Sequence, residues 1–212
     1  MNKFWRRENS STAVTRLLLL MGIKALLGTA AWASAPQVRS PGSWSDRAYH
    51  WSYNPENSPR WMTKDEARSL VIEASKVWEA CGVLMIYEGD TNRMPGAMDD
   101  VNVVGWSLVM PPQLRGLTNG RSSGGSLIER DIQFRSDRQE FKLHVRLLQK
   151  VISHEFGHAI GLTHSPQCND IMTLAADCPP ADPHTLPINL TAFDLKRCLA
   201  LYPDLNGRSP PD

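Results

Sequence analysis

Apolar residues recur at helical spacing in three separate segments of the chain. The first segment opens with Thr63 and Glu66, whose three-residue separation is the signature of a capping box, and its apolar positions continue to Cys81, just before Gly82. Because glycine readily leaves the helical conformation, we expect this helix to end there. The other two segments predict helices at 141–160 and at 191–202.

Between the first two predicted helices, the pattern changes to short β-branched or apolar runs bounded by Gly, Asp and Pro, which are typical of strands. Four such runs lie at 83–87, 101–109, 114–119 and 126–134. A turn rich in Gly and Ser, at 120–125, separates the last two. The pattern therefore predicts a sheet after the first helix, within one domain that extends from residue 49 to residue 203.

The N-terminal segment at 1–33 has the features of a secretory signal peptide. Several basic residues precede an apolar run at 17–27 that only Lys24 interrupts, and Ala31 and Ala33 supply the small residues of a cleavage site. The alternative is an uncleaved membrane anchor, but the run is shorter than the roughly 20 apolar residues that a spanning helix needs. We therefore expect cleavage after Ala33, and an exported protein that is secreted or periplasmic.

The segments on either side of the domain have no apolar periodicity. Residues 34–48 are rich in Pro, Ser and Gly and predict an extended lead-in, and residues 204–212 predict a flexible tail. After removal of the signal peptide, we expect no stable membrane insertion.

Composition places the chain among folded globular proteins, with 42% hydrophobic and 21% charged residues. Lys and Arg number 23 against 22 for Asp and Glu. Because this balance offers no long-range attraction for a phosphate backbone, composition does not support a nucleic-acid partner. We expect a monomer.

Four cysteines follow the signal segment, and an even number in an exported chain is typical of disulfides. Cys168 and Cys178 bracket a short loop, while Cys81 and Cys198 lie near the ends of two predicted helices, so we favour these two pairs. Spacing alone leaves three pairings open. A cysteine zinc site is the competing interpretation, but the sequence has no C-x-x-C pair.

The segment from His154 to His164 carries the string H-E-x-x-H-x-x-G-x-x-H. Residues four apart lie one turn apart on the same helical face, so His154 and His158 can bind one zinc ion together. Gly161 can take a positive φ, which lets the chain leave the helix and return His164 as a third ligand. Glu155 projects beside these ligands without binding the metal.

Three neutral nitrogens leave a fourth position of zinc for water, whose pKa the metal lowers to roughly 7. Glu155 is then the predicted general base, which accepts the proton of that water and passes it to the departing amine. Two histidines and a glutamate on a helix arise easily by chance. The added Gly161 and His164 make coincidence a poor explanation, and the chain's other histidines are isolated.

With this string, the chain resembles the metzincin zinc peptidases, and within them the matrixin branch that includes the matrix metalloproteinases. Ser165 directly after the third histidine is similar to the matrixin pattern, and Met172 lies where the Met-turn of the family should fall. The resemblance implies one catalytic Zn²⁺, an apolar floor formed by Met172 beneath it, and an Asp194 carboxylate that hydrogen-bonds the Met-turn backbone. From the residues alone, Met172 could be core filling and Asp194 only a helix cap.

The resemblance also implies an α+β fold of the metzincin type. Its twisted five-stranded sheet is mostly parallel with one antiparallel edge strand, and three helices accompany it, two behind the sheet and one after the Met-turn. A protein or peptide substrate would bind in extended form along the cleft edge, at 114–119. Residues 110–140 contain no histidine, so the second, structural zinc site of the better-known matrixins is not expected. Structural calcium is likewise unsupported.

Two functions from different classes remain open at this point. The first is a zinc-dependent endopeptidase, of broad specificity or directed at one protein. The second is a catalytically silent zinc-binding adhesion or interaction module of the same fold. An intact Glu155 favours the enzyme, since a binding module has no need for a general base.

Overall fold

The structure is a computed structural model that describes residues 40–174, 178–179 and 181–203. The predicted signal peptide, the first part of the predicted lead-in and the predicted tail lie outside the described residues. All of the described residues belong to one unit of the chain, Val38–Asp212.

Five strands form a single mixed sheet in the order β2-β1-β3-β5-β4. The strands are β1 (Ala48–Asn54), β2 (Leu84–Asp90), β3 (Val103–Ser107), β4 (Gly116–Ser123) and β5 (Ser126–Arg135). Three of the strand pairs are parallel, and only β4 runs antiparallel, to β5. The prediction of a mostly parallel α+β sheet with one antiparallel edge strand is confirmed.

The turn between β4 and β5 is shorter than the sequence predicted. Residues 120–123 were assigned to a turn, but they continue β4, since Arg121 pairs with Glu129 and Ser123 with Ser126. Gly124 and Gly125 alone make the reversal, with φ of 59° and 83°. The polar composition of 120–123 is typical of a turn, but its backbone is paired by the neighbouring strand, which periodicity cannot detect.

The helices are α1 (Lys64–Ser75), α2 (Gln139–Leu143), α3 (Val145–Ala159) and α4 (Ala192–Leu201). A 3₁₀ turn at Lys76–Cys81 extends α1, and Thr63 caps α1 through the predicted reciprocal hydrogen bonds with Glu66. The predicted continuous helix at 141–160 is wrong at its start. The backbone of His144, with φ −136° and ψ 77°, leaves the helical region and separates α2 from α3.

Aromatic side chains fill the core between the sheet and the helices. Trp51 of β1 packs against Phe156 of α3 with ring centroids 5.2 Å apart, and the buried indole N–H of Trp78 donates to the carbonyl of Ser153 at 2.8 Å. These contacts hold α3 against the sheet, which sets the position of everything that α3 carries. Within the described residues, no helix is long and apolar enough to cross a membrane.

Both favoured disulfides are present. Cys81–Cys198 joins the 3₁₀ turn after α1 to α4, with a Cα–Cα distance of 5.7 Å. Cys168–Cys178 closes a short loop after the histidine string, with a Cα–Cα distance of 5.5 Å. The first bridge ties distant parts of the domain together, and the second constrains the segment next to the candidate site.

Candidate metal centre and active site

Helix α3 places His154 and His158 on one face, one turn apart. Nδ1 of His154 lies 2.8 Å from the carbonyl oxygen of Ile171, and Nδ1 of His158 lies 2.7 Å from that of Leu162. A carbonyl oxygen only accepts hydrogen bonds, so each Nδ1 carries the hydrogen. In the neutral rings, each Nε2 therefore presents a free lone pair.

The chain leaves α3 through Gly161, whose φ is 99°. A Cβ at this position would lie 2.0 Å from the carbonyl oxygen of Gly42, so both the backbone conformation and the space require glycine. Beyond this turn, the guanidinium of Arg197 donates to the carbonyls of Thr163 at 2.8 Å and His164 at 3.2 Å. These bonds hold the third histidine next to the first two.

Residues of the predicted lead-in complete the end of α3. The indole N–H of Trp44 donates to the carbonyl of Ala159 at 3.0 Å, and the hydroxyl of Ser40 donates to that of Gly161 at 2.7 Å. The last carbonyls of a helix lack partners within the helix, so such donors stabilise its end. The described part of the lead-in therefore packs against the helix that carries the site.

The three histidines converge on one point. The Nε2 atoms of His154 and His158 are 3.1 Å apart, and those of His158 and His164 are 3.2 Å apart. Among the described residues, these three side chains are the one group of His, Cys, Asp or Glu able to hold a metal ion. The sequence-predicted ligands are thus brought together.

This geometry fits zinc. Zinc–nitrogen bonds of about 2.0 Å at a tetrahedral angle separate two nitrogens by about 3.3 Å. Because His154 and His158 direct two lone pairs at each other, they cannot hydrogen-bond without a further proton, whereas a cation between them satisfies both. Burial lowers the pKa of His154 well below its usual value and that of His158 to about 4, so both rings are neutral ligands at pH 7.

Beneath this cluster lies the turn that contains Met172, which is fully buried. The backbone N–H of Ile171 donates to the Asp194 carboxylate at 2.9 Å, and that of Met172 lies 3.5 Å from its other oxygen. Asp194 also forms the capping box of α4 with Thr191. The carboxylate of Asp194 therefore both accepts a hydrogen bond from the backbone of the Met172 turn and caps α4, the two roles that the sequence left as alternatives.

Gly157 lets α3 approach this turn closely. A Cβ on Gly157 would lie 2.2 Å from the sulfur of Met172 and 2.6 Å from the ring of Trp78. Helix α3 therefore contacts Met172 directly at Gly157, the residue before His158.

The side chain of Glu155 faces β4. It is only 6% exposed, and the hydroxyl of Thr118 donates to its Oε2 at 2.7 Å. Burial raises the pKa of Glu155 to about 7, against a smaller lowering by the Thr118 hydrogen bonds. A carboxyl group with this pKa can both accept and release a proton near neutral pH.

Two residues around the site escaped the sequence analysis. Thr118 contacts Glu155 from β4, and Asp170, 2% exposed, accepts hydrogen bonds from the hydroxyls of Ser165 and Thr191. Both contacts join residues from different elements. A polar residue inside a predicted strand was the available signal for Thr118, but periodicity alone does not say what such a residue faces.

Comparison with known proteins finds similarity to one family over part of the chain. Residues 115–203, from just before β4 to the end of α4, match the model of the matrixin family of peptidases. The matched span contains the three histidines, Glu155, the Met172 turn and Asp194. No curated protein matches the chain.

Proposed function

We propose that this chain, which matches the matrixin family over residues 115–203, is a zinc-dependent endopeptidase with Glu155 as its general base. The observation that carries the proposal is the convergence of three imidazole nitrogens, two of them from the helix that also carries the buried carboxylate of Glu155. A site with only the metal ligands would bind zinc, whereas hydrolysis also needs a group that moves protons.

The Nε2 atoms of His154, His158 and His164 would hold the metal. When bound, zinc lowers the pKa of a water molecule and polarises the carbonyl of the scissile peptide bond. The protein supplies ligands whose tautomers are set by backbone carbonyls, and beneath them the apolar Met172. We assign to this methionine the role of a floor that keeps water away from the underside of the site.

Glu155 acts on protons in two steps. Its carboxylate accepts a proton from the attacking water, and the resulting carboxylic acid delivers that proton to the nitrogen of the leaving amine. Because burial raises the pKa of this group to about 7, neither step has a large energetic penalty at neutral pH.

Substrate would bind along β4. This strand is at the edge of the sheet, paired on one side with β5, so its other side has backbone groups available to an extended peptide. The first half of β4, Gly116–Asn119, lies beside Glu155, through Thr118. A protein or peptide in extended form is therefore the substrate class, and the two disulfides support an oxidising, exported location.

The second candidate is the adhesion or interaction module that keeps zinc without turnover. The buried, hydrogen-bonded Glu155 favours the enzyme, because a carboxylate with a raised pKa is costly to keep where it has no function.

Incubation of the purified protein with denatured proteins and a diverse peptide library distinguishes the two. The peptidase should bind one zinc ion per chain and produce cleavage that a chelator abolishes and added zinc restores. Full zinc occupancy with no cleavage of any substrate would instead establish the binding module.

A further inference from the structure

The side chain of Glu155 is held from β4 by Thr118. Oγ1 of Thr118 lies 2.7 Å from Oε2 of Glu155 and 3.0 Å from the backbone carbonyl oxygen of the same residue. Both acceptors belong to Glu155, so this one hydroxyl bridges the helix backbone and the carboxylate. Rotation of the hydroxyl away from the helix would lose both contacts.

The strand comes unusually close to the carboxylate at Gly116. A Cβ on Gly116 would lie 2.6 Å from both Cγ and Oε1 of Glu155. Real Cβ contacts do not occur at such distances, so glycine at this position is what lets the carboxylate fit under the strand. Two residues of β4 with a single residue between them, Gly116 and Thr118, thus enclose the glutamate side chain from one side.

The two carboxylate oxygens consequently have different environments. Oε2 is the acceptor for the Thr118 hydroxyl, whereas Oε1 lies against the strand at Gly116. A glutamate side chain has several rotatable bonds, so holding it in one catalytic geometry costs conformational entropy. The Thr118 hydroxyl and the close approach of Gly116 together select one of these arrangements.

We propose that Thr118 is a positioning residue for Glu155, whose hydroxyl holds the carboxylate in the orientation from which it exchanges protons with water and the leaving amine. This inference rests on the proposed function. The proton balance is simple: the carboxylate gains the proton that water loses, and later returns it to the amine nitrogen. Oε2 accepts the Thr118 hydrogen bond in both protonation states, so the carboxyl group stays in place throughout.

Thr118→Val and Thr118→Ser are the informative pair of variants. Valine keeps the β-branched shape that suits a strand but removes the hydroxyl, whereas serine keeps the hydroxyl and removes a methyl group. Ser123→Ala, at the far end of β4 and outside the part assigned to substrate, is the matched control for loss of an exposed hydroxyl.

The measurements are kcat and KM on a peptide that the wild-type protein cleaves, zinc per chain, and the melting temperature. We expect Thr118→Val to lower kcat by about 10- to 100-fold, because a misplaced catalytic group costs this much, with KM within about 3-fold and zinc unchanged. Thr118→Ser should recover most of kcat. In a Glu155→Gln background, Thr118→Val should have no further effect on kcat.

Three results would overturn the assignment. They are wild-type kcat in Thr118→Val, an equal kcat loss in Thr118→Ser and Thr118→Val, and a loss confined to KM or to zinc content. Zinc-loaded wild-type protein that cleaves nothing refutes the proposed function, and the positioning role with it. That outcome is recognised before any variant is made, so the two failures are distinguishable.

Discussion

Glu155 combines two demands that oppose each other at the scale of a single residue. A general base must be ionised to accept a proton, yet the burial that shields the reaction from bulk water disfavours the charge. The hydrogen bond from Thr118 offsets part of the burial effect, and the pKa of about 7 is the net result. The same compromise gives this side chain measurable effects on activity and on stability.

Replacement of Glu155 by Gln tests its role in proton transfer. The amide has the same shape and can still accept from Thr118, but it cannot take a proton, so we expect peptide cleavage to fall by about 100- to 10,000-fold with zinc retained. Metal analysis and a cleavage assay on the same sample measure both. His158→Ala is the contrasting control, which should lose zinc and activity together. Cleavage by Glu155→Gln within about 3-fold of wild type contradicts the assignment.

The raised pKa of Glu155 also predicts how the stability of metal-free protein depends on pH. The folded protein binds this proton up to about pH 7, whereas the unfolded chain releases it near pH 4.5. The contribution of Glu155 to stability is therefore complete below pH 4.5 and declines as pH rises to 7, by about 3 kcal/mol.

His154 and His158 have lowered pKa values and change stability in the opposite direction, but they do so in Glu155→Gln as well. The difference in unfolding free energy between wild type and this variant, from urea titrations at pH 4.5 and pH 7.5 with a chelator present, isolates the glutamate. A difference that does not change with pH contradicts the raised pKa.

At the scale of elements, the site depends on how α3 ends. Its regular turns align His154 and His158, and its end at Gly161 lets the chain bring His164 next to them. The proposed site therefore needs both the helix and the point at which it ends. Where the helix ends, Trp44 and Ser40 from outside it donate hydrogen bonds to the carbonyls of Ala159 and Gly161.

Gly161→Ala tests whether the end of α3 requires glycine, and Gly89→Ala is its matched control. Both glycines have positive φ, 99° and 114°, but a Cβ on Gly89 meets nothing within 4 Å, whereas one on Gly161 overlaps the backbone of Gly42. We expect Gly89→Ala to cost about 1 kcal/mol with normal zinc affinity. Gly161→Ala should cost about 3 kcal/mol or more and weaken zinc binding, measured by denaturation and by metal titration. Equal effects of the two variants would contradict the close contact.

At the scale of the whole molecule, the two disulfides have separate effects because they close loops of very different length. Cys81–Cys198 spans 117 residues of sequence and Cys168–Cys178 spans 10. A crosslink lowers the conformational entropy of the unfolded state, and this reduction grows with the logarithm of the loop length.

Paired replacement by Ala tests this difference. Loss of Cys81–Cys198 should lower the unfolding free energy by about 5 kcal/mol, and loss of Cys168–Cys178 by about 3 kcal/mol, by loop-closure reasoning. Urea denaturation of each double variant under oxidising conditions measures both. The order of the two effects is the critical result, and a larger loss from the short loop contradicts an entropic origin.

Local spacing along the chain was sufficient to predict several features of this protein. The i, i+4 spacing of His154 and His158, the glycine that follows them and the capping box at Thr63 depend on backbone geometry within a few residues, so the sequence determined them. The fold class came from the family resemblance of the histidine string. The alternation of Tyr49, Trp51 and Tyr53 with polar residues is typical of a strand, but β1 was not among the strands predicted from the pattern.

Tertiary structure alone decided which groups meet across the fold. Thr118 reaches Glu155 from a strand 37 residues away in sequence, and Asp170 joins Ser165 to Thr191. The extension of β4 through Ser123 depends on pairing with β5. Such contacts arise from the packing of distant segments, whose energy depends on the whole arrangement and leaves no periodic signal in any one of them. The proposed zinc ligands were therefore readable from one short string, whereas the contacts that position the proposed general base required the assembled sheet.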